Sequence, residues 1–474
     1  MEKLRYNFNG TLSDKEIIKL VDDYKKGDGV KTAEKTEYAK GNNLAIMRRL
    51  VPSGAPDNKV PVSYAKRMIN LITSYMYRPG SVQYASEDQA YLDKLLEIFD
   101  ANNEDLETEQ IGRQTSIHGI GYEMFYIEGV GKTETLIDKK PGYTGTIPRF
   151  TKIPVDSTIP IYNFDIIPEL QAFIRFYTIE QEETEHIWVY YEKKFVEYLR
   201  KANSQGLPIG QQGLHGFDRV PLVVYENNED LMGDFECVQP LIDAYDVLMS
   251  DSLNEFDRFA WAYLVMKGFS LSTTDAEQIK HKRAFALLGE KDSVEFLTKD
   301  INHEFIKFMS EWLRGEIHKQ SGIPNLDDVK FGANTSGETL GKWIYLMELF
   351  TDPKESYFQY ALKKRLEIVS VYANLGDPTD IEITMNRNVP DKSMEQAELM
   401  EKYAGHISEK TLIEQFADFV DDAEAEMEQL KAEKEESLDT MMAKMEKNPP
   451  PDENQPGDNQ QVDEAGNEVP KENP

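Results

Sequence analysis

The segment that decides the fold begins with HEFIKFMSEWLRGEIHKQ at residues 303–320, continues as SGIPNLDDVKFGANTSG at residues 321–337 and ends in a second, longer helical pattern. Its first part has apolar residues at the i, i+3, i+4, i+7 spacing of one buried helix face. These residues are Phe305, Ile306, Met309, Trp312, Leu313 and Ile317. Gly322 can adopt the left-handed conformation that ends a helix, and Pro324 has no N–H with which to continue it. We therefore predict a helix that stops sharply before the polar stretch.

The second helix of this segment begins just after the polar stretch. Thr335 and Glu338 have the spacing of a capping box, in which side chains satisfy free N–H groups of the first helical turn. The apolar face that follows consists of Leu340, Trp343, Ile344, Met347 and Phe350. Pro353 is predicted to kink the helix or to restart it, because a proline inside a helix costs ~3 kcal/mol. The polar stretch is therefore a loop held between two helices with defined ends.

Two interpretations of this loop are open on its residues alone. It is rich in Asp, Asn, Ser and Gly, and Lys330 is its only cation. An ordinary connection between helices has such a composition. A projecting functional loop also fits, since connections longer than ~12 residues without secondary structure are usually functional or disordered.

The charge of the chain argues against tight binding of nucleic acid. The 474 residues carry a formal net charge of -32, whereas stable binding neutralises phosphates with Lys and Arg side chains. An acidic protein is compatible with a conduit through which DNA slides, and solubility alone also explains the charge.

The chain shows no sequence pattern for a disulfide, a metal site or a membrane span. Its single cysteine, Cys237, excludes an internal disulfide, and we expect it to be a small buried side chain. The histidines have no metal-binding spacing; His303 lacks the second His of a zinc helix. No apolar run approaches the ~20 residues of a membrane span, and the N-terminus has no signal-peptide pattern.

Helical patterns and then strand patterns follow one another in the first half of the chain. Helices are predicted within residues 13–50, from Tyr64 to Tyr77 and over Tyr91–Phe99. The strand patterns are rich in aromatic and β-branched residues, and they predict an antiparallel β-rich subdomain. They occupy residues 121–128, 147–161, 170–180, 186–200 and 220–228.

A partial phosphate-binding motif lies between the first two strand patterns. Gly131, Lys132 and Thr133 match the end of such a loop, but Tyr126 occupies the position of the glycine that the complete motif requires. A hairpin turn is the favoured interpretation, and a nucleotide hydrolase that uses these three residues is the alternative.

A long helix is predicted from Val238 onward, with apolar residues on one face. The other face is predicted to be solvated and carries Asp243, Asp246, Asp251, Glu255 and Asp257. A compact insertion follows: a strand at residues 263–269, a helix that ends at Leu288, and a strand at residues 293–299.

The helix of this insertion contains a local basic cluster, His281, Lys282 and Arg283. A solvated helix face is one interpretation of the cluster, and contact with an acidic partner or with DNA is the other.

The last quarter of the chain is predicted to be a strand, then helices, then disorder. The strand lies at residues 381–387, and the helices lie at residues 393–403, 408–419 and 421–445. From Lys447 onward the chain is rich in Pro, Asn and acidic residues, and it has too few large apolar side chains to offset its chain entropy.

Several of these segments together resemble a known family. They are VPLVVYENNEDLMGDFECVQPLIDAYDVLMSDSLNEFDRFAWAYLVMKG at residues 220–268, HKQSGIPNLDDVKFGANTSGETLGKW at 318–343, MNRNVP at 385–390 and SEKTLIEQFADFVDDAEAEMEQL at 408–430. In matching order over roughly residues 40–435, they are similar to the SPP1-type portal (head-to-tail connector) proteins of tailed bacteriophages. The resemblance implies an α+β portal fold with a mixed α/β wing, a two-helix stem, a small α/β clip, a helical crown and a disordered acidic tail.

The resemblance also implies the domain boundaries. They are the wing at residues 1–235, stem helices at 236–264 and 301–320, the clip at 265–300, the tunnel loop at 321–337, a long kinked helix with a wing strand at 338–390, the crown at 391–446 and the tail at 447–474.

The function implied by the resemblance is that of a channel for DNA and a docking platform. Portal proteins form a homo-oligomeric ring, a dodecamer in the virion, at one capsid vertex, and double-stranded DNA passes through it. The implied partners are the large and small terminase subunits, the major capsid and scaffolding proteins and a head-completion adaptor. Assembly is expected in the host cytoplasm. The resemblance implies no contact with a membrane, no enzymatic activity and no cofactor. Lys330, Phe331, Asn334, Thr335 and Ser336 would line the channel, and the cluster from His281 to Arg283 would lie in the docking clip. An acidic scaffold or adaptor without a channel is a further alternative.

Overall fold

The computed structural model describes residues 3–8, 10–127, 147–179, 181, 183–201, 206–260, 263–267, 293–297, 302–325 and 337–388, together with residues 402, 427 and 429–432. The chain divides into two compact units, Met1–Val389 and Pro390–Pro474. Every helix, strand and contact described below belongs to the first unit.

Six helices precede the first large sheet in the described chain. They are α1 (Asp14–Lys26), α2 (Asp28–Lys40), α3 (Leu44–Met47), α4 (Tyr64–Met76), α5 (Gln89–Asn102) and α6 (Glu104–His118). Polar side chains fix where several of them begin. Ser13 and Glu16 form a capping box at the start of α1, and Asp88 accepts a hydrogen bond from the backbone N–H of Tyr91 in α5.

The helical patterns of the N-terminal part are confirmed by α1 to α5. The sequence of α6, EDLETEQIGRQTSIH, does not predict a buried helix, because its apolar residues are few and have no helical period. The structure nevertheless buries this helix, and much of its buried face is polar: Thr108, Gln114, Thr115, Ser116 and His118. Hydrogen bonds to other elements make this burial possible, as when the Gln114 side chain donates to the Ile153 carbonyl at 2.9 Å and accepts from the Tyr122 backbone N–H at 2.9 Å.

Twelve described strands form four antiparallel sheets. The strands are β1 (Val82–Ala85), β2 (Ile120–Ile127), β3 (Pro148–Ile153), β4 (Thr158–Tyr162), β5 (Leu170–Ile179), β6 (Thr184–Tyr190), β7 (Lys194–Lys201), β8 (Ile209–Leu214), β9 (Leu222–Glu226), β10 (Tyr263–Lys267), β11 (Ser293–Leu297) and β12 (Glu382–Met385). Their sheet orders are β3-β2-β9, β4-β5-β6-β7-β8, β1-β12 and β10-β11.

The sheets confirm the predicted antiparallel β-rich subdomain, with two additions. Strand β8, with the sequence IGQQGL, lies at one edge of the five-stranded sheet. It is not predicted from the sequence, because two glycines and two glutamines do not give the aromatic and β-branched run that is typical of a strand. Strand β12 lies where a strand is predicted, but its partner is the unpredicted strand β1, with Val82 opposite Met385. The fold is therefore a mixed arrangement of helices and antiparallel sheets, which agrees with the α+β class that the family resemblance implies.

Three long helices complete the described part of this unit. They are α7 (Gln239–Ala260), α8 (His303–Ser321) and α9 (Gly337–Ala373). Helices α7 and α8 pack against each other. The main apolar core includes Val238 just before α7, Ile242 in its first turn and Ile317 near the end of α8. Strands β10 and β11, which come between the two helices in the chain, are confirmed where the sequence predicts two strands.

The main core lies between helices α4 to α6, the three-stranded sheet and the second half of α9. Its fully buried side chains include Ile69 and Ile72 of α4, Ile111 of α6, and Leu362 and Leu366 of α9. A second apolar cluster joins α1 to the five-stranded sheet, and a third lies between the two large sheets. Helix α9 is thus part of the core that holds the N-terminal helices, although more than 200 residues separate them.

The prediction of a solvated acidic face on α7 is wrong. Asp246 is only 1% exposed. The hydroxyl of Tyr38 donates to Asp243 at 2.7 Å, and the Asn43 side chain donates to Asp246 at 2.9 Å. Arg49 forms an ion pair with Asp251. These acidic residues accept hydrogen bonds from the N-terminal part of the chain. The pattern of polar and apolar residues along a helix does not show whether a polar face contacts water or other protein groups.

An extended segment at residues 58–62 runs along this face of α7 with a regular pattern of hydrogen bonds. Backbone N–H groups two residues apart in the segment donate to side chains four residues apart in the helix. The pairs are Val62 to Asp246 at 3.1 Å, Val60 to Ser250 at 3.1 Å and Asn58 to Asn254 at 2.7 Å. Two residues of extended chain span about 6.6 Å and four residues of helix about 6.0 Å, so the two periods match. This segment fixes α7 against the N-terminal helices.

The predictions for Pro353 and Cys237 have different outcomes. A restart at Pro353 is wrong, because helix α9 continues from Gly337 to Ala373, whereas a kink there stays a prediction. Cys237 is exposed, because it lies on the outer side of a short 3-10 turn just before α7. Several predictions lie outside the described residues: the Thr335 to Glu338 cap, the insertion helix, the partial phosphate-binding motif and the tail from Lys447. The same holds for the helices predicted at residues 393–403, 408–419 and 421–445, of which only residues 402, 427 and 429–432 are described. Among the described helices, none combines the length and the apolar character needed to cross a bilayer.

Candidate functional site at the two ends of the loop

The loop enters from the end of α8, which is closed as predicted. Gly322 has φ +70°, the left-handed conformation that ends the helix. The next turn is held by side chains: the Ile323 backbone N–H donates to the Ser321 hydroxyl at 3.3 Å, and Nδ1 of His318 donates to the Ile323 carbonyl at 3.1 Å. The Ile323 side chain is buried in the main core. The chain therefore leaves α8 in one fixed direction.

The loop returns into α9, whose fourth turn lies against the point where the chain left α8. A Cβ atom placed on Gly322 would lie 3.5 Å from the Phe350 ring, which is an ordinary van der Waals contact. Met347, one turn before Phe350, is buried in the same core as Ile317 and Ile323. The chain that leaves α8 and the part of α9 from Met347 onward are thus seated in one apolar core, while residues 326–336 themselves lie outside the described residues.

Helix α9 is held just after Pro353 by a buried ion pair. Nζ of Lys354 lies 2.7 Å from Oδ1 and 2.8 Å from Oδ2 of Asp234, and both residues are almost fully buried. The Asn227 side chain also donates to Asp234 Oδ1 at 2.8 Å. Burial lowers the pKa of Lys354, while the facing carboxylate acts in the opposite direction. Because both charges are desolvated, neither can lose its partner without a large cost.

A second buried cluster holds α9 three turns further on. Arg365 is 0% exposed and donates to Glu123 through Nε at 3.0 Å and through Nη2 at 2.8 Å. Its Nη1 donates to Glu104 and, at 2.9 Å, to the Thr108 hydroxyl. The Tyr225 hydroxyl donates to Glu123 at 2.8 Å. Two carboxylates share one guanidinium, and burial raises the pKa of Glu123.

A third cluster lies around Pro353 and is built by Arg387, just after β12. Nε of Arg387 donates to both carboxylate oxygens of Glu348 at 3.2 Å, and Nη2 donates to Asp352 at 3.3 Å. The same guanidinium forms an ion pair with Glu355. Arg387 therefore binds carboxylates on both sides of the proline, which cannot donate a helical hydrogen bond. The cluster holds the helix together at its weakest point.

The outer faces of the three long helices expose a group of large apolar side chains. These are Leu253 and Phe256 of α7, Phe305, Phe308 and Trp312 of α8, and Tyr345, Leu346 and Leu349 of α9. We call them the apolar helix surface. Phe256 is 65% exposed, Phe305 56% and Trp312 48%. The predicted buried stripe of α8 is therefore correct for Leu313 and Ile317 and wrong for Phe305 and Trp312, which no other part of the described chain covers.

The candidate site residues predicted from the sequence are not placed by the structure. Lys330, Phe331, Asn334, Thr335 and Ser336 lie outside the described residues. The same holds for the basic cluster from His281 to Arg283 and for the partial phosphate-binding motif. What the structure adds is the geometry that holds the loop, which the sequence did not reveal.

The sequence contains a signal for the residues that hold α9, namely a charged residue inside an apolar stripe. Lys354 lies four residues after Phe350 and four before Phe358, within the apolar stripe of the helix. Arg365 interrupts the same stripe between Ala361 and Val369. A charge inside a buried stripe requires a buried partner, since isolated charges are not desolvated. The identity of the partner is not readable, because Asp234 and Glu123 are distant in sequence.

Comparison with known proteins gives matches in sequence along most of the chain. The family described as "Phage portal protein, SPP1 Gp6-like" matches residues 18–439. The "Portal protein" of Clostridium phage phiCD119 is 22% identical over 386 residues, which covers 78% of this chain and 83% of that protein. The "Portal protein" of Bacillus phage SPP1 is 21% identical over 415 residues, covering 82% of this chain and 78% of that protein.

Solved structures also match, at low sequence identity. A chain titled "Neck of native GTA particle computed with C12 symmetry" has a TM-score of 0.44 and 12% identity, covering 73% of this chain and 87% of that chain. A chain titled "Virion of native gene transfer agent (GTA) particle" has a TM-score of 0.46 and 15% identity, covering 81% and 92% respectively. The match to the family spans most of the chain and includes both helices that flank the loop. The chain is therefore a member of the SPP1 Gp6-like family of phage portal proteins.

Proposed function

We propose that copies of this chain close into a ring, a dodecamer in the virion, at one vertex of the capsid. Duplex DNA passes through the axis of this ring during packaging and ejection. Membership of the portal family and the apolar helix surface both support this proposal. Assembly takes place in the host cytoplasm before the ring becomes part of the virion.

The apolar helix surface is the observation that carries the ring. Phe305, Phe308 and Trp312 recur at i, i+3 and i+7, so they share one face of α8, and an exposed apolar face of this kind is typical of an interaction site. In a closed ring each subunit offers two different surfaces to its two neighbours. Side chains on α7 and α8, such as Phe256 and Phe308, would then be covered by the neighbouring copy. Contact with a neighbouring copy would also explain why Phe305 and Trp312 of the predicted buried stripe are exposed in a single chain.

The loop at residues 321–337 would face the axis of the ring. The chain enters the loop from the core at Ile323, and the helix that follows the loop joins the same core at Met347, which limits where the loop can lie. Lys330, Phe331, Asn334, Thr335 and Ser336 would then meet the duplex. One cation per copy gives sparse phosphate contacts, which allows DNA to slide because tight binding needs many neutralised phosphates.

The strand pair β10-β11 would be part of a clip that docks other proteins. His281, Lys282 and Arg283 lie between these strands in the chain and would contact terminase subunits or the head-completion adaptor. Contacts with the major capsid and scaffolding proteins would involve the outer parts of the ring. In this role the protein needs no catalytic residue of its own.

Replacing Phe308 with aspartate tests the ring. We expect wild-type protein to show rings with an axial hole in negative-stain images, and the Phe308→Asp variant to form several-fold fewer, because the carboxylate would be buried without a partner at the contact. Gln320→Asp, on an exposed position of the same helix, is the control and should assemble normally. Wild-type protein that stays monomeric under all conditions, or a Phe308→Asp variant with unchanged rings, would contradict the proposal.

Replacing Lys330 with aspartate tests the role of the loop. Each copy would change from one cation to one anion next to the phosphates, and we expect normal rings but a lower yield of filled heads or poorer retention of the genome. The measurement is the ratio of filled to empty particles, with ring images of the same variant as the control. Normal filled heads from Lys330→Asp would exclude a direct role of this side chain toward DNA.

A further inference from the structure

A cleft of about 1160 Å³ lies between the end of α1, strand β4 and the adjoining strands β2 and β9. Its least exposed lining residues are apolar or aromatic, among them Ile120, Tyr122, Ile159 and Tyr162. Neither the apolar helix surface nor the loop between α8 and α9 contributes to it. The role proposed above therefore leaves the cleft without a function.

The rim of the cleft is strongly acidic. It has five carboxylates and two cations, a formal excess of three negative charges, and the carboxylates are Asp23, Asp28, Glu226, Glu229 and Asp230. Lys3 forms an ion pair with Glu226 at 2.6 Å, and Lys31 forms one with Asp28 at 3.4 Å. Within the described chain, the other three carboxylates form no ion pair. A negative rim above an aromatic floor favours cations and disfavours phosphates and anionic lipids.

The N-terminal arm, residues 3–8, shows how an extended cationic segment binds beside this cleft. The Tyr6 backbone N–H donates to the Tyr162 carbonyl and the Tyr162 N–H donates to the Leu4 carbonyl, both at 2.9 Å, so that the arm adds to the edge of β4. Its apolar side chains, those of Leu4, Tyr6 and Phe8, pack against the second core cluster. Nζ of Lys3 lies 5.9 Å from the centre of the Tyr162 ring. Cationic and apolar residues alternate in the arm, and the cations line the cleft.

We propose that the cleft binds an extended segment of another protein in which Lys or Arg alternates with apolar residues. The cleft volume is what remains with the arm in place, and the arm shows both halves of the required chemistry. The backbone of the segment would run beside the arm, its cations would meet Asp23, Glu229 and Asp230, and its apolar side chains would cover the aromatic floor. The segment comes from a different protein, because this chain's own segment of that pattern, residues 3–8, is already seated on the edge of β4.

Peptide binding to the purified full chain tests this proposal. The probe is a fluorescein-labelled hexapeptide of alternating Lys and Leu, and the readout is fluorescence anisotropy at low and at physiological salt. We expect binding that weakens with salt, and a loss of affinity of about fivefold in the double variant Glu229→Gln with Asp230→Asn. Both side chains are exposed, so the thermal unfolding midpoint of this variant should match that of the wild type.

The matched control removes the same two charges elsewhere. Glu87, just before α5, and Asp93, within it, are exposed and do not line the cleft, so the variant Glu87→Gln with Asp93→Asn should bind the peptide like the wild type. Equal loss in both double variants, or equal binding of a peptide with Glu in place of Lys, would overturn the proposal. Binding that appears only after deletion of residues 1–8 would also overturn it, since the cleft would then be the seat of the arm, from the same or a second copy.

Discussion

Replacing Arg365 with methionine is expected to lower the free energy of unfolding by about 3–5 kcal/mol. The variant would leave Glu123 and Glu104 buried without their cation, and the hydrogen bond from the Tyr225 hydroxyl compensates only part of that loss. Chemical denaturation followed by far-UV circular dichroism gives the difference. The control is Lys363→Met, two residues earlier on an exposed position of the same helix, for which the change should stay within about 0.5 kcal/mol.

The pH dependence of this loss gives a second test of the same cluster. Burial already raises the pKa of Glu123 in the wild type, and removal of Arg365 should raise it further. A carboxyl with a raised pKa in the folded state favours folding below the unfolded pKa, and this advantage disappears as the pH rises through the folded pKa. The Arg365→Met variant should therefore be less destabilised near pH 5 than near pH 8. An equal loss at both values would show that packing, and not uncompensated charge, causes the destabilisation.

Replacing Lys354 with methionine is expected to cost a similar amount, about 3–5 kcal/mol, because Asp234 would remain buried without a cation. The double variant Lys354→Met with Asp234→Asn removes both charges and should recover part of the stability. A coupling energy of about 1–3 kcal/mol from the four proteins of this cycle would measure the interaction of the pair. Additive losses from the two single variants would show that the pair does not act as a unit.

These two side chains connect stability with the position of the loop. Lys354 and Arg365 hold the half of α9 that follows Pro353, and Arg387 joins that half to the turns before the proline. The turns before the proline carry Met347 and Phe350, which contact the residues at the other end of the loop. A variant that loosens α9 should therefore move the loop even though it touches none of its residues. If Lys354→Met gives fewer filled heads, its unfolding midpoint should be compared with that of the wild type. A lowered midpoint would assign the loss to a loosened α9 and not to a direct contact of Lys354 with DNA.

The sequence by itself determined the type of most elements, because their signals are local. The glycine that ends α8, the long helices and most strands could be read from spacing and residue type, and the family could be recognised from segments such as residues 318–343. The sequence alone therefore locates the loop and its flanking helices. Helix α6 and strand β8 were missed because their polar side chains and glycines give neither a helical nor a strand period.

Only the tertiary structure decided which polar residues are buried and which apolar residues are exposed. Asp246 and Arg365 are buried because partners far away in the sequence, Asn43 and Glu123, satisfy them, and no local pattern specifies such partners. Phe308 and Trp312 are exposed because the described chain has nothing to cover them, a property of the surroundings of a helix and not of its sequence. Local propensity fixes the elements, whereas burial depends on contacts between distant segments, and these contacts set where the loop is held.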